Sequence, residues 1–179
     1  MRTDRRALVV GISKYEILKP LKYALHDAEI ISAQLSEYNC QFSCKTLLGE
    51  EATAKEIRNN FKSLFVGADD DAIIIFFFAG HAVNQDSGTF LVTLDSEDDI
   101  ESGVHFTRLV DIVKANRRPA QTCIFLLDCC HAGALSFDNV QIKVAGLQDA
   151  VVQAPGVILV AASEGDGEAL ESDNCLLYT

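Results

Sequence analysis

Four short apolar runs set the terms for this chain: "RRALVVGI" at 5–12, "AIIIFFFAG" at 72–80, "TCIFLLD" at 122–128 and "GVILVAAS" at 156–163. Each is too short for a core helix and rich in β-branched or aromatic residues, the signature of strands buried on both faces of a parallel sheet. Helical spacing fills the gaps. Leu21, Leu25, Ala28, Ile31 and Leu35 recur every three or four residues, and Thr53 is a good N-cap for a helix running to Phe65. A further strand is expected around "FSCKTLL", a hairpin around "GTFLVTL" and a helix from about Thr107 to Ala115. This alternation predicts an α/β fold, a mostly parallel sheet with helices on both faces and right-handed crossovers. At 179 residues, with neither internal repeat nor low-complexity linker, the chain reads as one domain.

Composition removes several function classes. Hydrophobic residues make up 49% of the chain, which excludes a disordered segment. The longest apolar run is far too short to span a bilayer, and "MRTDRRALVV" lacks the apolar segment of a signal peptide, so a cytoplasmic protein with no membrane partner is expected. In that compartment the six cysteines are expected to be reduced thiols, with Cys40, Cys44 and Cys123 as packing residues. Cys129, Cys130 and His131 are consecutive and cannot converge on one tetrahedral ion, so no structural metal is expected. A net charge of −11 without a basic stripe argues against nucleic acid. From Pro119 onward the only Lys or Arg is Lys143, an asymmetry that suits a cationic ligand or simple solubility.

In a parallel sheet, functional groups gather beyond the carboxyl ends of the strands. "FFFAGH" delivers His81 there, "IFLLDCCH" delivers Asp128, Cys129, Cys130 and His131, and "ILVAASEGDG" delivers Ser163 with an acidic loop. Neighbouring strands lie about 5 Å apart, so a histidine on one tip and a cysteine on the next suit a thiol nucleophile and its base. Taken singly, His81 reads as a core or turn histidine and Cys130 as a small buried hydrophobe.

Together and in this order they resemble a family. "FFFAGHA" followed by "LLDCCHAG" is similar to the histidine and cysteine strands of the caspase-like cysteine peptidases, nearest to metacaspases and their bacterial relatives, and "ALVVGISKYEILKPLKYALHDAEIISAQL" resembles the metacaspase start. The resemblance covers nearly the whole chain and implies a three-layer caspase-like sandwich: a large-subunit-like part at 1–133, a linker at about 134–155 and the start of a small-subunit-like part at 156–179. The family continues into another helix and a last strand, so the chain is expected to stop before them, as one subunit of a cleaved enzyme, as a shortened chain, or as a domain of a longer protein with sensor modules.

The resemblance implies a cysteine endopeptidase with Cys130 as nucleophile, His81 as base, Cys129 as bystander and His131 orienting the turn. Tight turns after His81 and around Cys130 are expected to supply the oxyanion donors, the backbone N–H groups of Ala82 and Cys130. Asp27 and Asp128 match the acidic pocket positions of enzymes that cut after Arg or Lys, so a protein or peptide substrate with a basic residue before the scissile bond is implied. Self-cleavage between the strands then falls after Lys143. The role implied is regulated proteolysis, in cell death or bacterial defence, under a sensor domain or activator protein. No cofactor is required by this chemistry. Some metacaspases need calcium, and the loop holding Asp95, Glu97, Asp98, Asp99 and Glu101 offers oxygen ligands without EF-hand spacing.

Two departures stand out. Ala79 and Ala82 flank Gly80–His81 where the family usually has Ser and Gly, and Ala132 stands where a serine is common. The rival readings are an inactive caspase-like scaffold, a peptidase specific for Asp, and a flavodoxin-like ligand-binding domain. The last lacks a Gly-rich phosphate loop after "ALVVGIS".

Overall fold

The computed structural model describes residues 3–96, 98–131 and 154–161, the side chains of Cys130 and His131 excepted. The apolar runs become strands β1 (Arg5–Gly11), β3 (Ile73–Gln85), β6 (Thr122–His131) and β7 (Val157–Ala161), with β2 (Ser43–Leu48) between the first two in sequence. These five pair in parallel in the spatial order β2-β1-β3-β6-β7. Two short antiparallel strands, β4 (Gly88–Leu91) and β5 (Val104–His105), bring the sheet to seven strands among the described residues.

Alternation along the strands assigns each side chain to a layer. Leu8, Val10, Ile74, Phe76, Phe78, Cys123, Phe125 and Leu127 build the larger core, closed by α2 (Ala54–Ser63) through Ile57 and Phe61 and by α3 (Phe106–Asn116) through Leu109, Val110 and Val113. Ala7, Val9, Ile75, Phe77 and Ala79 face the other way, where Ala24 and Ala28 of α1 (Ala24–Ser36) cover them. Helices therefore lie on both faces of a mostly parallel sheet, the α/β sandwich expected from the alternation. The Thr53 hydroxyl accepts from the Glu56 N–H and caps α2, as its position predicts.

The small side chains of α1 let it lie close to the sheet. A Cβ on Gly11 would come within 2.6 Å of the Ala28 Cβ and 3.0 Å of the Ala24 carbonyl oxygen. Since the second of these is main chain, the contact is relieved only by moving the helix. Gly11→Ala is expected to lower stability by about 1–3 kcal/mol, read as a fall in the urea midpoint at unchanged m-value.

β3 departs from expectation. The chain does not turn after His81 but runs on as strand to Gln85. The reason is a change of partner. β1 ends opposite Ala79, and beyond it β4 pairs with Ala82–Gln85 on the same edge while β6 accompanies β3 as far as Ala82. The hairpin expected around "GTFLVTL" consequently joins the far end of β3 to "GTFL". β6 likewise stays extended through His131, so Ala82 and Cys130 both sit in strand where turns were expected.

Candidate active site where β3 and β6 run side by side

The β3–β6 register sets the Cα of His81 opposite that of Cys130, and Ala82 opposite His131. Parallel neighbours are about 4.8 Å apart, so the two residues singled out in the sequence stand side by side. His81 belongs to the face shared by Ile75, Phe77 and Ala79, and is 2% exposed.

Its ring is held by the loop between β1 and α1. The His81 Nε2 lies 2.7 Å from the Lys19 carbonyl oxygen. A carbonyl only accepts, so Nε2 carries the proton and Nδ1 is the basic nitrogen of the neutral ring. The Tyr15 ring packs against the imidazole with centroids 4.7 Å apart. Its hydroxyl accepts the His81 backbone N–H at 3.0 Å and lies 3.4 Å from the Val92 carbonyl oxygen, to which it donates. The His81 carbonyl accepts from the Val92 N–H at 2.9 Å. Gly80 is required beside this cluster, because a Cβ there would meet the Tyr15 hydroxyl and the Phe78 ring at 2.8 Å.

Main-chain groups alternate sides along a strand, so with those of His81 turned toward Tyr15 and Val92, the Ala82 N–H faces β6, the strand of Cys130. Cys129 lies on the opposite face from His81, 8% exposed within the larger core. Asp128 pairs in register with Ala79 and is half-buried on the α1 face, following Ile124 and Leu126. Burial pushes its carboxyl above the usual carboxylate range. Asp27, in the first turn of α1, is 7% exposed and sits between Ala24 and Ala28, the residues that cover Ala79. Both acidic positions thus lie in the layer between α1 and the sheet.

The acidic loop is put to local use. An Asp95 carboxylate oxygen accepts the Ala54 N–H at the start of α2 and the Thr93 hydroxyl, and Glu101 accepts from Ser87. Asp98 and Asp99 are exposed, and among the described residues no three His, Cys, Asp or Glu side chains are grouped to hold a metal ion. Lys143, Glu97, Ala132 and Ser163 lie outside the described residues, as does nearly all of the expected linker.

A family model described as the caspase domain matches residues 4–174. The chain belongs to the caspase-like cysteine peptidase family. Among solved structures, a similar fold is found in a crystal structure of a Geobacter sulfurreducens protein, which aligns with a TM-score of 0.59 over 74% of this chain at 16% identity. The chain spans 52% of that structure, about half its length. No curated protein matches. In this caspase domain, no helix among the described residues is long and apolar enough to cross a membrane.

Two contributors to the candidate site escaped the sequence, Tyr15 and the Lys19 carbonyl. A main-chain acceptor leaves no mark in a sequence. Tyr15 sits in "GISKYEILKP", where a lone aromatic after a strand reads as packing.

Proposed function

We propose that this caspase domain is a cysteine endopeptidase that cleaves protein substrates after Arg or Lys. The observation that carries the reading is the register of Cys130 beside His81, joined to the Lys19 contact that leaves Nδ1 as the basic nitrogen. In the proposed reaction His81 takes the Cys130 proton, the thiolate adds to the scissile carbonyl, and the C–N bond breaks as the imidazolium returns the proton to the leaving amine. Water then adds to the thioester carbonyl, giving a proton to His81, and the C–S bond breaks as the imidazolium returns that proton to the Cys130 sulfur, releasing the acid and the thiol. The N–H groups of Ala82 and Cys130 are the proposed donors to the oxyanion.

Basic specificity rests on Asp27 and Asp128. A half-buried carboxyl that is costly to ionise gains most from a guanidinium or ammonium brought beside it. A fluorogenic panel with Arg, Lys or Asp before the scissile bond, run with calcium and with chelator, tests the proposal. Turnover of the Arg and Lys peptides alone is expected, and turnover of the Asp peptide alone overturns the specificity. A calcium requirement would point to the 95–101 loop as the site of the ion. Cytoplasmic regulated proteolysis under a sensor or activator remains the proposed setting.

The same specificity predicts where the enzyme cuts itself. Between Ala134 and Pro155 the sole basic residue is Lys143, so self-processing is expected after Lys143 and nowhere else in that segment. Intact masses of incubated wild type, Cys130→Ala and Lys143→Ala check this: the cut should vanish in both variants, whereas a cut after Asp138 or Asp149 contradicts the basic pocket.

A further inference from the structure

We propose that Tyr15 is a positioning residue for the His81 base, acting through its hydroxyl, an inference that rests on the peptidase reading above. The β1–α1 loop grips His81 twice, the Lys19 carbonyl holding the ring at Nε2 and the Tyr15 hydroxyl holding the main chain at the N–H. The two contacts divide the task. Lys19 fixes which nitrogen is basic, and Tyr15 fixes where the ring hangs, because its hydroxyl bridges the His81 N–H to the Val92 carbonyl while its ring packs on the imidazole.

This hydroxyl occupies a place the sheet would ordinarily fill. β1 ends at Gly11, with its last β3 contact made by the Ile12 N–H to the Ala79 carbonyl, and β4 takes over at Ala82. The His81 N–H falls in the gap between the two partner strands, and the phenol closes it. Phenylalanine at 15 would leave a buried N–H without its acceptor and a buried carbonyl without this donor. The backbone of His81 would shift to repair them. A shift of this kind moves the imidazole relative to β6, and nucleophile activation is sensitive to displacements of about 1 Å.

The test is the pH dependence of Cys130 alkylation by iodoacetamide, followed by peptide mapping in wild type, Tyr15→Phe and His81→Ala. Wild type is expected to react at pH values below those of an ordinary thiol, and His81→Ala to lose that reactivity. Tyr15→Phe, melting within a few degrees of wild type, is expected to shift the profile toward His81→Ala and to lower kcat on an Arg peptide about tenfold with KM unchanged. A wild-type profile identical to that of His81→Ala overturns the peptidase reading itself. A perturbed wild-type profile that Tyr15→Phe leaves unmoved overturns the role of Tyr15. Should Tyr15→Phe fail to fold, 3-fluorotyrosine at position 15, isosteric with a weaker acceptor oxygen, replaces it: a shifted profile supports the proposal and an unshifted one overturns it.

Discussion

Cys130→Ala is expected to reduce peptidase activity to background, a loss on the order of a millionfold in kcat, while Cys129→Ala keeps most of it. The two thiols are adjacent in sequence, yet the strand separates them. Cys129 belongs to the larger core with Phe125 and Leu127, where its truncation removes one buried sulfur and costs about 1 kcal/mol of stability. Cys130 is the residue in register with His81. Labelling with an electrophilic Arg-based inhibitor and mapping the modified peptide checks the assignment. Modification at Cys129 would mean that β6 is offset by one residue, because a one-residue slip exchanges the faces of every side chain on the strand.

That pairing was legible in the sequence because it rests on contiguous apolar runs. "IIIFFF" and "CIFLLD" have no other stable place than the middle of a sheet, and whatever follows them arrives at its carboxyl edge together. Thr53 was equally plain, since a capping hydroxyl acts within three residues of itself. The continuation of β3 through "HAVNQ" was not, because nothing in those residues demands a strand. It exists because β4 offers an edge where β1 stops. The support of His81 was hidden for a related reason: Tyr15 and Lys19 reach it from more than sixty residues away, one of them through a main-chain oxygen. Asp95 has a use the sequence did not show, for its carboxylate holds the first turn of α2.

The acidic pair carries the second large effect. Asp27→Ala and Asp128→Ala are each expected to lower kcat/KM on Arg peptides with little change in folding, by about 2–5 kcal/mol for loss of one partner of a desolvated charge pair, which is roughly 30- to 4,000-fold. The pH dependence separates this from simple loss of packing. Burial raises the Asp128 carboxyl pKa, so the folded protein binds a proton there that the unfolded chain has already released. Stability attributable to Asp128 is therefore greatest in acid and falls as pH rises from the ordinary carboxylate range through the raised folded value. Asp128→Asn should remove that fall, leaving the variant relatively more stable than wild type near neutrality. An Arg peptide should act in the opposite direction: by favouring the carboxylate it binds wild type more tightly as Asp128 ionises, and this dependence should be absent in Asp128→Asn. Thermal melts across pH with and without an Arg-based inhibitor measure both trends. Equal inhibitor-induced shifts in wild type and Asp128→Asn at every pH would place the recognition of the basic residue elsewhere.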